Sequence, residues 1–154
     1  MRIIPDKTTY IMNMLGPISE RSKDLHTQIG CVITTDDYHI CTTGYNSFPQ
    51  GIDDTKPERL ERPEKYYWME HAERNAFYFA AKRGISLDGC YIFQPGYPCM
   101  DCARGIISVG IVRVTYSQVA QDAWALTTPK YVPDFERVEA MLGEAGVELI
   151  SWVK

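Results

Sequence analysis

The order of segments along the chain predicts an α/β protein, a three-layer α/β/α sandwich on a mixed five-stranded sheet. Two observations carry that expectation. Helix-like and strand-like stretches follow one another as αββ, then αβαβ, then αβ over the 154 residues, and such alternation lays helices over a sheet. The first two strands are close enough in sequence to pair as a hairpin, whereas helices separate the later ones, so parallel and antiparallel pairs share the sheet.

Each element has its own signal. Thr8 to about Lys23 places Tyr10, Ile11, Met14, Leu15 and Ile18 near one helical face, with Gly16-Pro17 expected to kink or break it. Residues 27–34 have strand composition (Ile29, Val32, Ile33), residues 39–45 read as a second strand, and Asp36-Asp37 marks the turn between them. Residues 46–65 are rich in Pro, Gly and charge and read as a long loop, which inside a compact domain usually carries function or forms a lid. A helix is expected from His71 to Arg83, stopped by Gly84, then a short strand from Cys90 to Phe93. Another helix runs from Cys99 to Val109, stopped by Gly110, and a strand from Ile111 to Tyr116. A looser stretch follows, then a helix from about Asp134 to Ala145 and a strand from Val147 to Trp152. With no internal repeat or low-complexity segment, residues 1–154 are expected to form one domain.

Two short segments carry the chemistry: His71-Ala72-Glu73 and Pro98-Cys99-Met100-Asp101-Cys102. They supply one imidazole, two thiols and a spare carboxylate. Three nitrogen and sulfur ligands suit Zn²⁺ and leave the fourth tetrahedral position for water, the mark of a catalytic rather than a structural zinc. Taken singly, His71 reads as a core histidine and Cys99 and Cys102 as small buried hydrophobes. Their joint occurrence, H-x-E followed by P-C-x-x-C, is the pattern of zinc nucleobase deaminases. The predicted topology assembles the site: the helices opening at His71 and Cys99 both begin at the C-terminal edge of strand 90–93, where α/β sheets bind ligands. Their positive N-terminal ends favour thiolates. Because residues two apart do not share a helix face, His71 and Glu73 converge only if His71 is the cap. Zinc lowers the pKa of a bound water. Glu73, left off the metal, would move that water's proton to N3 of a cytosine ring attacked at C4, then to the departing ammonia. The plain alternative for Glu73 is an acid stabilising a helix N-terminus.

Composition bounds the rest. Apolar residues make up 45% and charged residues 23%, and the net charge of −4 argues against a sequence-independent nucleic-acid binder. No stretch approaches the roughly 18 apolar residues of a membrane span, and the first residues lack a signal-peptide core. Five cysteines, two of them needed as thiolates, suit a reducing cytoplasm. His26 and His39 read as ordinary residues and Cys90 as core. Cys31 and Cys41 are expected to face each other across the hairpin, packed rather than binding a second metal. Tyr66-Tyr67-Trp68 serves either as an aromatic wall for a base or as packing. Lys82-Arg83 reads as dipole complement at a helix end rather than a phosphate site.

These residues resemble a known family. Arg21-Ser22-Lys23-Asp24, Thr27-Gln28-Ile29-Gly30, Gly44-Tyr45-Asn46, His71-Ala72-Glu73-Arg74-Asn75-Ala76 and Pro98-Cys99-Met100-Asp101-Cys102-Ala103 are similar in order and spacing to the deoxycytidylate (dCMP) deaminases of the cytidine deaminase superfamily. The resemblance covers roughly residues 21–114. It implies the five-stranded cytidine deaminase-like fold, hydrolysis of dCMP to dUMP and ammonia, zinc on His71, Cys99 and Cys102, and Glu73 as proton shuttle. It also implies a sugar contact at Asn46 and a homo-oligomer, commonly a hexamer, activated by dCTP and inhibited by dTTP, with Mg²⁺ accompanying the triphosphate. Ala72, Arg21 and Lys23 join Asn46 as substrate-contact candidates. The two cations would serve a nucleotide at the rim, or stand as solvated helix-end charges. The chain departs from the family where Ser47 replaces the last Gly of G-Y-N-G, beside the regulatory site, and where Gly16-Pro17 interrupts a helix. Competing readings are a deaminase acting on dCTP, free cytidine or a base in nucleic acid, and a zinc-stabilised binding module in which Cys31 or Cys41 closes the metal site.

Overall fold

The computed structural model describes residues 3–153. Its elements in chain order are α1 (Lys7–Met12), α2 (Leu15–Ser19), β1 (Gly30–Thr34), β2 (Ile40–Tyr45), a 3-10 turn (Pro57–Arg59), α3 (Lys65–Trp68) and α4 (Ala72–Arg83). There follow β3 (Tyr91–Gln94), α5 (Met100–Ser108), β4 (Arg113–Ser117), α6 (Gln118–Thr127), a second 3-10 turn (Pro129–Tyr131), α7 (Val132–Glu144) and β5 (Glu148–Trp152). The five strands lie in the order β2-β1-β3-β4-β5. β1 is antiparallel to both β2 and β3, while β3, β4 and β5 run parallel. The sheet is therefore mixed, as the segment order requires.

Period-two alternation sends successive side chains to opposite faces. Cys31, Ile33, Ile92 and Val114 face α4, α5 and α7, where they meet Ala76, Phe77, Ala103, Ile106, Val138 and Leu142. Val32 and Phe93 face the other way, against Ile11, Met12 and Leu15 of α1 and α2. Three layers result. The stripe Ala72, Ala76, Ala80 on α4 is completely buried, and its small side chains let the helix sit close on the sheet. Gly44 on β2 permits that approach: a Cβ there would lie 2.1 Å from the Ala72 carbonyl oxygen.

Several boundaries differ from the sequence expectation for identifiable reasons. The N-terminal helix is two helices. The break falls at Asn13-Met14, ahead of Gly16-Pro17, and Pro17 sits in the first turn of α2, where its missing N–H is not needed. The stretch after β4 is not loose: Ser117 caps α6 by accepting from Ala120 N at 3.3 Å. The loop after β2 contains the short helix α3. Cys31 faces Gly44 across the hairpin, not Cys41. The register already sets Ile33 opposite Thr42, so Cys41 falls beyond it, at the irregularity between Ile33 and Thr34, and its Sγ lies 3.9 Å from that of Cys90. Among the described residues no helix is long and apolar enough to cross a membrane.

Candidate active site

The metal group forms where two helices begin. His71 is the N-cap of α4, with extended backbone (φ −72°, ψ 156°), and Cys99 is the N-cap of α5 (φ −69°, ψ 168°). The cap position eases the spacing problem: His71 lies outside the regular helix, and its ring and the Glu73 carboxyl are near enough to feel each other's charge. Cys102 is in the first turn of α5, and its backbone N–H points at Cys99 Sγ, 3.5 Å away.

His71 Nδ1 lies 3.5 Å from Cys99 Sγ and 3.6 Å from Cys102 Sγ. Tetrahedral zinc bonds of about 2.3 Å to sulfur and 2.05 Å to nitrogen place their donor atoms about 3.5 Å apart, so the three residues fit the ion. Among the described residues these three ligand atoms form the group that converges within 4.8 Å. Glu73 is not part of it, nor are Cys31 and Cys41, so among the described residues no fourth His, Cys, Asp or Glu joins the group. Cys102 is buried and His71 exposed, which leaves one side of the group open.

Electrostatics follow from this crowding. Cys99 is pulled down to about 3 by the hydrogen bonds from Cys102 and His71, working against burial. Cys102 is pushed far up, because its proton bridges to Cys99 and because it is buried. The hydrogen bond to Cys99 raises His71. Glu73 is 6% exposed; burial raises its carboxyl above the usual range, opposed by its own backbone N–H and by His71. A carboxyl held toward neutrality is suited to both accepting and returning a proton. The buried Cys31 thiol is pushed well up by burial and by the Glu73 charge.

The expected nucleotide contacts are placed differently. Asn46 is 7% exposed and works inside the fold: Oδ1 accepts from Ile29 N at 2.8 Å, and Nδ2 donates to Thr27 O at 2.8 Å and Asp24 Oδ2 at 3.2 Å. Asp24 in turn holds the buried Lys65 ammonium at 2.6 and 2.9 Å. This ties the loop after β2 to the segment before β1. The Ala72 side chain belongs to the core, which leaves only its backbone N–H, unpaired within the first helical turn, to offer a ligand. Arg21 and Lys23 share one cleft with Tyr45, Ser47, Phe48 and Asp54. That cleft's lining includes none of His71, Glu73, Cys99 and Cys102, and the Lys23 ammonium is paired with Asp54 at 2.8 Å. Tyr66 and Tyr67 are exposed rather than packed, and the Arg59 guanidinium stacks over Trp68, 3.8 Å from the ring centre.

Sequence reasoning passed over Glu70, Arg74 and Asn75. Glu70 accepts from His71 N at 3.0 Å and pairs with Arg74 one turn on, while Arg74 reaches Cys102 Sγ at 3.9 Å. Asn75 donates to Tyr45 O at 2.9 Å and Ser47 Oγ at 3.1 Å. The i,i+4 spacing of Glu70 and Arg74 was the available signal.

Residues 5–118 match the family model described as the cytidine and deoxycytidylate deaminase zinc-binding region. The chain is 35% identical over 132 residues to an uncharacterised deaminase of Aliivibrio fischeri, covering 86% of this chain and 83% of that one. It is 34% identical over 112 residues to the human deoxycytidylate deaminase, covering 70% of this chain but 62% of the human protein. Among solved structures, the dCMP deaminase of cyanophage S-TIM5 in complex with dCMP and dUMP superposes with a TM-score of 0.72 over 98% of this chain and all of that one, at 22% identity. That likeness bears on the fold.

Proposed function

We propose that this chain, which belongs to the cytidine and deoxycytidylate deaminase family, hydrolyses dCMP to dUMP and ammonia as a single zinc-dependent domain. The observation that carries the reading is the convergence of His71 Nδ1 with two cysteine sulfurs at zinc-ligand separations, beside a buried acid outside the ligand group. His71, Cys99 and Cys102 would hold the ion, which supplies Lewis-acid activation of water when bound. Glu73 takes a proton from the water that attacks C4, delivers it to ring N3, and returns a proton to the leaving amino group. Cytosine and water become uracil and ammonia, and the carboxylate is restored. The choice of dCMP is supported by the motif resemblance and by deoxycytidylate deaminases among the relatives.

In this reading Arg21 and Lys23 serve a nucleotide phosphate from their cleft, Ala72 through its backbone, and Asn46 by fixing the loop between them. Activation by dCTP, inhibition by dTTP, an accompanying Mg²⁺ and a hexamer belong to the same proposal. All five cysteines are free thiols, which supports a reducing, cytoplasmic setting. The test is a substrate panel on the zinc-loaded protein: dCMP, dCTP, deoxycytidine and a cytosine-containing oligonucleotide, each with and without dCTP or dTTP as effector. Deamination of dCMP ahead of the others is expected. Preference for another member transfers the assignment to it, and no turnover of any would reduce the chain to a zinc-binding module.

A further inference from the structure

Cys41 and Cys90 take no part in the metal group, yet their sulfurs lie 3.9 Å apart. Cys90 directly precedes β3, so the pair sits at the N-terminal end of that strand, whereas Cys99 follows its C-terminal end. A bulge brings the two together. Ile33 pairs with Thr42 and Thr34 with Ile40, which leaves Cys41 as the extra residue of β2. In an unbroken strand Cys41 and Thr42 would point to opposite faces. The bulge re-aims the extra side chain, and Cys41 packs against the core cluster that holds Cys90. Cys90 is buried and Cys41 partly exposed, and a surface cleft lined by Thr35, Asp36, Asp88 and Gly89 reaches Cys90. Each sulfur has a main-chain acceptor, His39 O at 3.8 Å for Cys41 and Ser86 O at 3.9 Å for Cys90. Burial, Cys41 and the carboxylates of Asp36 and Asp88 push the Cys90 thiol up to about 12, which leaves the first attack on any oxidant to the more exposed Cys41.

We infer that Cys41 and Cys90 form a reversible thiol–disulfide pair, a redox switch that ties the edge strand β2 to the start of β3 and slows the reaction at the metal site. The effect on rate rests on the deaminase reading above; the bond does not. The oxidant is a low-molecular-weight disulfide. The Cys41 thiolate attacks it, keeps one half as a mixed disulfide and releases the other as a thiol. The Cys90 sulfur, deprotonated, then attacks the Cys41 sulfur: the bond between the two cysteines forms, the mixed bond breaks and the second half leaves as a thiol. Two protein thiols lose two electrons and two protons, and one small disulfide gains both. Closing 3.9 Å to the length of a disulfide draws the sulfurs together by about 1.9 Å. β1 lies between β2 and β3, so the bond spans it and pulls β2 inward. A disulfide strained in this way is the readily reduced, regulatory kind. Gly44 follows three residues along β2, about 10 Å away, where the strand and the first turn of α4 have no slack. The pull therefore reaches the helix that presents His71 and Glu73.

The test uses the zinc-loaded full chain in glutathione buffers, from fully reduced to fully oxidised. Samples are alkylated with iodoacetamide, and linked peptides are mapped by mass spectrometry beside zinc content and dCMP turnover. Oxidised wild type is expected to carry the Cys41–Cys90 bond with zinc retained, to turn over about 10-fold more slowly, and to recover in dithiothreitol. C41A should keep the turnover of the reduced wild type in every buffer, and C90A should stop at glutathione on Cys41. No bond between the two cysteines at any ratio that leaves zinc in place overturns the inference, and a bond with unchanged turnover overturns the switch. A bond that forms in a protein deaminating dCMP in neither state leaves the pairing standing and sinks the deaminase reading, so the two failures are separable. If C90A does not fold, C41A decides: a loss of turnover on oxidation that persists in C41A, with zinc retained, refutes the pair.

Discussion

Replacing Gly44 by alanine tests whether close packing of α4 on β2 sets the geometry of the site. The added Cβ would lie 2.1 Å from the Ala72 carbonyl oxygen, 2.9 Å from Ala76 N and 3.0 Å from Ala76 Cβ. Two of those three atoms are backbone, so no side-chain rotation relieves the clash. To restore even 3.0 Å to the oxygen, the first turn of α4 must retreat by roughly 0.9 Å in a close-packed interior. Overpacking of this kind costs about 1–3 kcal/mol, and the rigid partners put G44A at the upper end. For a domain of this length that is a fall in Tm of roughly 6–12 °C. The retreating turn carries His71 and Glu73, and a displacement of about 1 Å can cost on the order of 100-fold in rate. Gly143, in α7, has nothing within 4 Å of its added Cβ, so G143A is the control and should gain about 0.5–1 kcal/mol. Thermal unfolding, bound zinc per chain and dCMP turnover are measured on both. If G44A melts within about 2 °C of wild type and turns over normally, helix approach does not set the site and the reasoning fails.

Glu73→Gln should retain zinc and lose at least about 10²-fold in turnover, as expected on removing a general acid–base; full activity in a zinc-loaded variant would remove Glu73 from the reaction. Chelating the metal should abolish turnover and lower Tm, with both restored by added zinc; activity that survives verified metal loss contradicts the assignment. Lys65→Met strands the buried Asp24 carboxylate and should destabilise by about 3–5 kcal/mol in urea unfolding, whereas D24L/K65M, which removes both charges, should recover most of that. Burial opposes ionisation of Asp24, but Lys65 and the N–H groups of His26 and Thr27 outweigh it and lower the carboxyl from its ordinary 3.8. Its contribution to stability is therefore complete above that value and lost as the pH falls through the lowered one. In D24N the corresponding part of the acid limb of a stability–pH curve should flatten; an unchanged limb would mean that other carboxylates set it.

The candidate site was legible because it rests on local signals. H-x-E and P-C-x-x-C mark the three side chains that converge, and Gly84, at φ +67°, ends α4 as the sequence suggests. What escaped reading depends on distant contacts. In α6, Val119 and Leu126 remain exposed, so no apolar stripe announces the helix. It is held by packing of Trp124 over Gly96 and by the Gln121 side chain accepting from Tyr97 N at 2.8 Å. The cysteine pairing failed on register: Cys31 lies opposite Gly44, so Cys41 falls three positions away along the hairpin, and sequence does not mark the register that the turn sets. Asn46 illustrates a further limit: resemblance attaches a ligand role to the residue, while its amide is engaged on both ends within the chain.

That last case changes how residues 44–47 are understood. Gly44 lets α4 approach, and Tyr45 offers its carbonyl to Asn75 in the first turn of that helix. Asn46 closes the segment before β1 onto the loop, and Ser47 both bridges to the Glu70 backbone and accepts from Asn75. Four consecutive residues thus form a cradle for the helix that presents His71 and Glu73, whatever a nucleotide contacts nearby. The distinction has a kinetic form. Loss of a direct substrate contact with equal grip on ground and transition states raises KM and leaves kcat alone. Loss of a cradle contact displaces His71 and Glu73 together, the proposed metal ligand and proton carrier, which on that reading lowers kcat at any substrate concentration. Ser47→Ala, which removes only the hydroxyl that Asn75 addresses, therefore separates the two roles: a fall in kcat with KM held identifies the cradle, and a rise in KM alone identifies a ligand contact.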